Sequence, residues 1–216
     1  MTETGTTTTP RERYRAQVRA DIKKHAWDQI AASGATALSL NAIAKRIGMS
    51  GPALYRYFAG RDELITELIR DAYRSLADTL RAASTTGPDV ATLAHALRTW
   101  AVDDPQRYFL VYGTPVPGYH APDDVTAIAS ATMATLLDAC DALPPGGSAT
   151  AFDTHLEDHR QWADGHPAPA AALHRALTFW TRLHGVLSLE LAGHFTGMGF
   201  DPALLYGAEL DDLLSG

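Results

Sequence analysis

Three consecutive residues, Tyr55, Arg56 and Tyr57, have side chains that can bind a nucleic acid. Phenol hydroxyls donate hydrogen bonds to phosphate oxygens, and a guanidinium can pair with a guanine edge through two hydrogen bonds. A short run of small residues precedes them: Ser50, Gly51, Pro52 and Ala53. A helix that begins in this run brings its free N–H groups and positive dipole end close to a phosphate. The spacing therefore predicts a short helix that contacts DNA.

The charge of the chain is distributed in a way that favours this interpretation. The formal net charge is -7, but residues 1–61 contain ten Lys/Arg and four Asp/Glu. The remainder contains eight Lys/Arg and 21 Asp/Glu. Exposed charges more than about 8 Å apart are largely screened at physiological salt, so a basic N-terminal part can act independently. Further cations for phosphates are Lys45, Arg46 and Arg61.

The periodicity of apolar residues predicts the elements that position these side chains. Ser39 can cap a helix over residues 40–47, and Gly48 supplies the turn that ends it. A third short helix is predicted over residues 51–58, and a long one over 61–83. Two short helices joined by a glycine turn are a helix-turn-helix, which presents its second helix to the major groove.

The rest of the chain also shows helical periodicity without the alternation of a strand. A polar helix is predicted over residues 149–163 and a strong one over 170–195. The predicted fold class is all-α, with an N-terminal three-helix helix-turn-helix domain and a C-terminal helical domain. The predicted parts are a disordered tail (1–10), the helix-turn-helix domain (11–60), a connecting helix (61–83) and the C-terminal domain (84–216). Without a signal peptide or membrane-spanning run, we expect a cytoplasmic chain with no membrane partner.

Aromatic and other large apolar residues are numerous in the C-terminal part. They can be ordinary core, or they can line an apolar chamber between helices, where all-helical domains bind ligands. These residues are Trp100, Tyr108, Phe109, Tyr112, Met133, Phe179 and Trp180. The sequence leaves both interpretations open for each of them.

The sequence gives little support for a metal-binding or catalytic motif. His155 and His159 share a helical face, but the intervening Glu157 is displaced from its position in the zinc-protease pattern, which favours a solvated polar helix. No phosphate-binding glycine loop or nucleophile turn is present. Cys140 fits an apolar helical stripe and is interpreted as core. We therefore expect no enzyme, no cofactor and no metal site.

The stretch 40–58, LNAIAKRIGMSGPALYRYF, followed by RDEL at 61–64, closely resembles the DNA-binding domain of the TetR family of transcriptional regulators. The resemblance covers about residues 11–70. It implies that residues 50–53, 55–57 and Arg61 lie at or near the operator, together with Asn41 on the preceding helix. Gly51 stands where the family usually has a basic residue, so base recognition is assigned to Asn41 and Arg56.

A second resemblance concerns the C-terminal part. Trp180 to Gly185, WTRLHG, looks like the Trp-x-x-x-His-Gly signature of one ligand-binding subclass of this family. It implies an effector chamber near His184 and dimerisation through the last two helices. The candidate dimer residues are Phe179, Leu183, Leu187, Leu191, Leu204 and Leu205.

Together these observations predict a homodimeric repressor that a small-molecule effector releases from an inverted-repeat operator. A dimer is expected because one short helix reads too few base pairs. An activator or a corepressor-dependent regulator would use the same residues, and the sequence does not separate these alternatives. A small-molecule carrier or an enzyme is the alternative from a different class.

Overall fold

The computed structural model describes residues 9–113, 121–144 and 148–215. Within these ranges the regular elements are α-helices and short 3-10 turns, without strands, so the predicted all-α fold class is confirmed. Residues 1–8 of the predicted tail lie outside the described residues, as do residues 114–120, 145–147 and 216. The described chain divides into two compact units, with the division between Ile69 and Arg70.

The first unit contains three complete helices and the start of a fourth. These are α1 (Pro10–Ser33), α2 (Leu40–Arg46), α3 (Gly51–Leu54) and the first part of α4 (Arg61–Ala83). A capping box starts α1: Thr9 Oγ1 accepts the Glu12 N–H at 3.3 Å, and the Glu12 carboxylate accepts the Thr9 N–H at 2.7 Å. The helix thus includes Pro10, the last residue of the predicted tail.

The third helix is shorter than predicted. It ends at Leu54 instead of Phe58, and the next residues form tighter turns in which the Tyr57 N–H bonds the Leu54 carbonyl at 2.8 Å. Leu54 and Phe58 are fully buried, so the whole segment is fixed to the core although only its first half is α-helical. We call residues 50–58 the recognition segment.

The second unit contains the remainder of α4 and six further helices. They are α5 (Val90–Asp103), α6 (Pro105–Tyr112), α7 (Asp123–Asp141), α8 (Ala151–Asp158), α9 (Ala170–Leu191) and α10 (Pro202–Ser215). The central helix is α9, which packs against α5, α7, α8 and α10.

Two helices in this unit end earlier than the sequence predicts. The one expected over 149–163 stops at Asp158 and is followed by a 3-10 turn, and α9 stops at Leu191 rather than near residue 195. The reason for the second difference is local, because Gly193, Gly197 and Gly199 all have φ near +80° and turn the chain.

Candidate nucleic-acid interface and ligand cluster

The recognition segment exposes most of the side chains predicted to touch DNA. Tyr55 is 47% exposed, and Arg56 beside it is exposed as well. Ser50 occupies the N-cap position of α3, but its hydroxyl makes no capping hydrogen bond within the described chain. Asn41, Lys45, Ser50 and Pro52 are also exposed, whereas Gly51, Ala53, Tyr57 and Arg61 are partly buried. The exposed hydroxyls and cations are therefore available to an anionic partner.

The turn between α2 and α3 brings Asn41 next to the start of the recognition segment. Gly48 has φ +68°, and the Met49 N–H closes the turn by donating to the Ala44 carbonyl at 2.9 Å. A Cβ on Gly51 would lie 3.6 Å from Asn41 Oδ1, an ordinary contact distance. Because Gly51 has no side chain, the Asn41 amide is left uncovered on that side.

Two arginines of α1 hold the far end of the recognition segment. Arg19 donates to the Tyr57 carbonyl, lies 4.1 Å above the Phe58 ring and contacts the Glu67 carboxylate at 3.5 Å. Arg15 donates to the Arg56 carbonyl at 3.5 Å. Cations next to the last carbonyls of a helical segment complement its dipole. Sequence reasoning missed both arginines, although their spacing of four residues was visible.

Arg61 is placed differently from the prediction. Its Nη2 donates to the Ala35 and Thr36 carbonyls at 2.9 and 3.3 Å, so the guanidinium holds the 3-10 turn after α1. Its Nε is buried and has no hydrogen-bond partner among the described residues. Arg61 thus has a structural role in its own chain, and its predicted phosphate contact stays a prediction.

The second unit brings four predicted ligand residues together. We call Tyr108, Tyr112, Trp180 and His184 the ring cluster. The ring of His184 lies 4.4 Å from that of Tyr112 and 4.4 Å from that of Trp180 between centroids. Tyr108 Oη lies 3.0 Å from His184 Nδ1 and 2.8 Å from the Ser188 hydroxyl. The cluster joins α6 to α9.

The polar atoms of the ring cluster are unequally satisfied. The Tyr112 hydroxyl and His184 Nε2 are both buried, and neither has a hydrogen-bond partner within the described chain. Burial lowers the pKa of His184 to about 4, so the imidazole is neutral at pH 7. Burial also raises the pKa of Tyr112 well above its usual value, which keeps the phenol protonated. A neutral ligand could hydrogen-bond both atoms without a buried charge.

The ring cluster also contacts α4. The Tyr73 ring lies edge-on to that of Tyr112, with centroids 6.3 Å apart. Two residues further along α4, Ser75 Oγ accepts hydrogen bonds from Trp100 Nε1 and Arg107 Nη1, both at 3.2 Å. In α4, Tyr73 therefore contacts the ring cluster through its ring, and Ser75 binds Trp100 and Arg107 through hydrogen bonds.

Several of the aromatic residues that were open to either interpretation pack as core in this structure. Trp100, Tyr108 and Phe179 are at most 5% exposed and belong to the core, and Phe109 and Met133 pack at its edge. Two cavities of about 360 and 460 Å³ lie instead along α8 and α9, and none of the predicted ligand residues lines either. The rings of the ring cluster pack on one another.

Part of the predicted dimer surface is enclosed within the single chain. Phe179, Leu183 and Leu187 are at most 3% exposed in the single chain. A side chain enclosed in its own protomer has little surface to offer a second copy, so the assignment of these three to the interface stays a prediction that their burial does not favour. Leu204 is 74% exposed, and Leu191 and Leu205 are partly buried, so these three remain candidates.

The histidine pair and the cysteine are the remaining chemical candidates. His155 and His159 stack with ring centroids 4.0 Å apart, and the His159 ring bonds the His155 carbonyl at 2.9 Å. Burial raises the pKa of Cys140 to about 12, which disfavours a reactive thiolate. Over the ranges that the structure describes, no group of three His, Cys, Asp or Glu could hold a metal ion. In those same ranges, no helix combines the length and the apolar character needed to span a bilayer.

The geometry thus defines a helix-turn-helix protein with a helical C-terminal unit. Residues 22–68 match the family described as bacterial regulatory proteins, tetR family, and residues 90–213 match the tetracyclin repressor-like C-terminal domain. The chain belongs to the TetR family of transcriptional regulators. The subclass suggested by Trp180, His184 and Gly185 stays a prediction.

Similar proteins agree with this assignment. The HTH-type transcriptional regulator Rv1816 of Mycobacterium tuberculosis is 37% identical over 211 residues, which cover 90% of each chain. A crystal structure described as that of a regulatory protein, SCO4313, is 74% identical, with a TM-score of 0.89 over 96% of this chain and 100% of that one. A complex of SmeT with triclosan shares the fold at 16% identity, with a TM-score of 0.52 over 91% of each chain.

Proposed function

We propose that this TetR-family regulator is a homodimeric repressor that a neutral small molecule, bound at the ring cluster, releases from an inverted-repeat operator. The observation that carries the ligand assignment is the pair of buried unpartnered atoms, the Tyr112 hydroxyl and His184 Nε2. An unsatisfied buried polar group destabilises the folded protein by about 1–3 kcal/mol. Two such groups in contacting side chains therefore destabilise it further. A ligand that bonds both atoms removes that cost.

The ligand class follows from the same atoms. A neutral imidazole offers either a donor or an acceptor at Nε2, and the Tyr112 phenol offers a donor. Within the described residues, the ring contacts and hydrogen bonds of the cluster involve no carboxylate, lysine or arginine side chain. An uncharged, flat molecule with one or two polar atoms fits this environment. A solved structure of SmeT, which has the same fold, is a complex with triclosan.

The coupling to DNA runs through α4 in this proposal. A ligand between α6 and α9 displaces Tyr112, whose ring bears on Tyr73, and α4 begins at Arg61, directly after the recognition segment. Release requires that the ligand bind better to a conformation in which the two recognition segments of the dimer do not match the half-sites. A ligand that prefers the DNA-bound conformation would instead be a corepressor.

The DNA side is tested with a shift assay on the duplex upstream of the protein's own coding region. Arg56→Ala should weaken operator binding by about 1–3 kcal/mol, roughly 5- to 150-fold, and relax the preference at one base pair. Tyr55→Phe is the matched control, because removal of a phosphate contact weakens binding to all sequences alike. Equal effects of Arg56→Ala on operator and unrelated DNA would remove Arg56 from base recognition.

The ligand side is tested by a thermal-shift screen of neutral aromatic compounds, with triclosan as the first probe. A compound that stabilises the wild-type protein should weaken operator binding, and Tyr112→Phe should abolish both effects. A compound that stabilises the wild type and the Tyr112→Phe variant equally binds elsewhere and contradicts the assignment. A compound that depends on Tyr112 but leaves operator affinity unchanged contradicts the release mechanism.

A further inference from the structure

The side of α1 that packs into the N-terminal unit changes character along the helix. Val18, Ile22, Ala26 and Ile30 recur every four residues and are buried. Toward the N-terminus, the same side of the helix carries Arg11 and Arg15, which lie within about 40° of that row on the helix circumference. Both arginines are exposed. The core-facing row of α1 therefore becomes cationic where the helix extends beyond the core.

These two cations are not neutralised by the acidic residues of α1. Glu12 is held by the Thr9 backbone and hydroxyl, at 2.7 and 2.8 Å. Asp21 accepts a hydrogen bond from Gln17 at 3.1 Å. Neither Arg11 nor Arg15 forms an ion pair within residues 9–113, 121–144 and 148–215. Their charge is available to an external anion.

The contacts of Arg15 fix where this charge lies. Its guanidinium donates to the Arg56 carbonyl at 3.5 Å and lies 5.8 Å from the centre of the Tyr57 ring. Arg11 is one turn further from the core, about 6 Å along the axis of α1. That distance is less than two base-pair rises of about 3.4 Å each. The two arginines thus continue the cationic surface beyond the C-terminal end of the recognition segment.

We propose that Arg11 and Arg15 bind phosphates of double-stranded DNA next to the base pairs contacted by residues 50–58, and so extend the interface onto α1. This inference rests on the proposed DNA binding. A guanidinium binds a phosphate through two parallel hydrogen bonds, and such contacts position a protein without reading sequence. Arg15 then has two roles, as it also caps the Arg56 carbonyl.

The test measures binding of the full chain to operator and unrelated duplexes of equal length, by fluorescence anisotropy at several salt concentrations. Removing one phosphate-binding charge should reduce the slope of log K against log [salt] by about 0.9. Arg11→Gln/Arg15→Gln should therefore reduce the slope by about 1.8 per protomer. The fold-decrease in affinity should be the same on both duplexes.

Arg13→Gln is the matched control, because it removes the same charge from the same turns of α1. Arg13 is exposed but lies about 160° around the helix from Arg15, so its replacement should leave the slope close to that of the wild type. An equal reduction of the slope in Arg13→Gln would show a general charge effect and overturn the proposal.

Two further measurements separate DNA contact from a structural effect. Arg11 makes no hydrogen bond within the described chain, so Arg11→Gln alone should lower the slope by about 0.9 per protomer without a change in melting temperature. An unchanged slope for this variant overturns the inference while DNA binding by the wild type stands. If the wild type binds neither duplex, the proposed function itself is wrong.

Discussion

The unsatisfied hydroxyl of Tyr112 gives a prediction with an unusual sign. Tyr112→Phe removes a buried O–H that has no partner within the described residues and leaves the ring contacts with Trp180 and His184 in place. Because an unpaired buried hydroxyl carries a desolvation cost of about 1–3 kcal/mol, the variant should be more stable than the wild type by that amount. For a chain of this length, each kcal/mol corresponds to about 2–4 °C in melting temperature.

The control is the neighbouring phenol. Tyr108 is fully buried, and its hydroxyl lies within hydrogen-bonding distance of His184 Nδ1 and Ser188 Oγ. Tyr108→Phe leaves these groups unpaired and should destabilise the protein by about 1–3 kcal/mol. The same chemical change thus has opposite effects at two positions four residues apart.

Urea unfolding followed by circular dichroism, at one fixed protein concentration, measures both free energies of unfolding. The concentration must be fixed because the proposed dimerisation would contribute to the apparent stability. If Tyr112→Phe destabilises the protein as much as Tyr108→Phe does, the Tyr112 hydroxyl is hydrogen-bonded in solution. A ligand at the ring cluster would then find no unpaired Tyr112 hydroxyl to bind, which contradicts the proposed ligand site.

The remaining predictions also concern the second unit. His184 has a pKa of about 4 in the folded protein against 6.5 ordinarily, so the unfolded chain binds the extra proton first, and stability should fall by up to about 3 kcal/mol between pH 6.5 and 4. Acid unfolding curves that His184→Gln leaves unchanged would contradict this. Leu183→Ala should lower the free energy of unfolding by about 2–5 kcal/mol, because it opens a core cavity. Leu204→Glu should weaken the proposed dimer in sedimentation experiments and leave protomer helicity intact. Dimerisation unaffected by Leu204→Glu would exclude that residue from the interface. Ser75→Ala removes the acceptor of Trp100 Nε1, so it should destabilise by about 1–3 kcal/mol and reduce the ligand response; an unchanged response would exclude this contact from the coupling.

The helix-turn-helix was predictable because its signals are local. Ser39 caps α2 by accepting the Ala42 N–H at 3.3 Å, and Gly48, nine residues later, takes the positive φ of the turn. The end of α3 was not predictable, because the tight turns after Leu54 depend on how Leu54 and Phe58 are buried. Local periodicity does not contain that tertiary constraint.

The interactions that hold the site together were missed for a related reason. Arg15 bonds the Arg56 carbonyl across 41 positions of sequence, and Tyr108 meets His184 across 76. Arg61 has the residue type of a phosphate contact, but its partners are carbonyls 25 and 26 residues earlier. Residue type and spacing identify groups capable of binding, whereas long-range packing decides which of them remain available.

Packing also explains why one apolar helix was assigned two roles at once. The apolar residues of α9 occupy more than one side of the helix, and the sequence cannot say which side meets its own core. The structure buries Phe179, Leu183 and Leu187 and leaves Leu189 45% exposed. Since α9 also carries Trp180 and His184 of the ring cluster, a ligand that shifts this helix also shifts the exposed side that a second copy could cover. In the proposed repressor, effector binding and dimer geometry would then be linked through α9 as well as through α4, and variants of the exposed side should change the ligand response without touching the ligand.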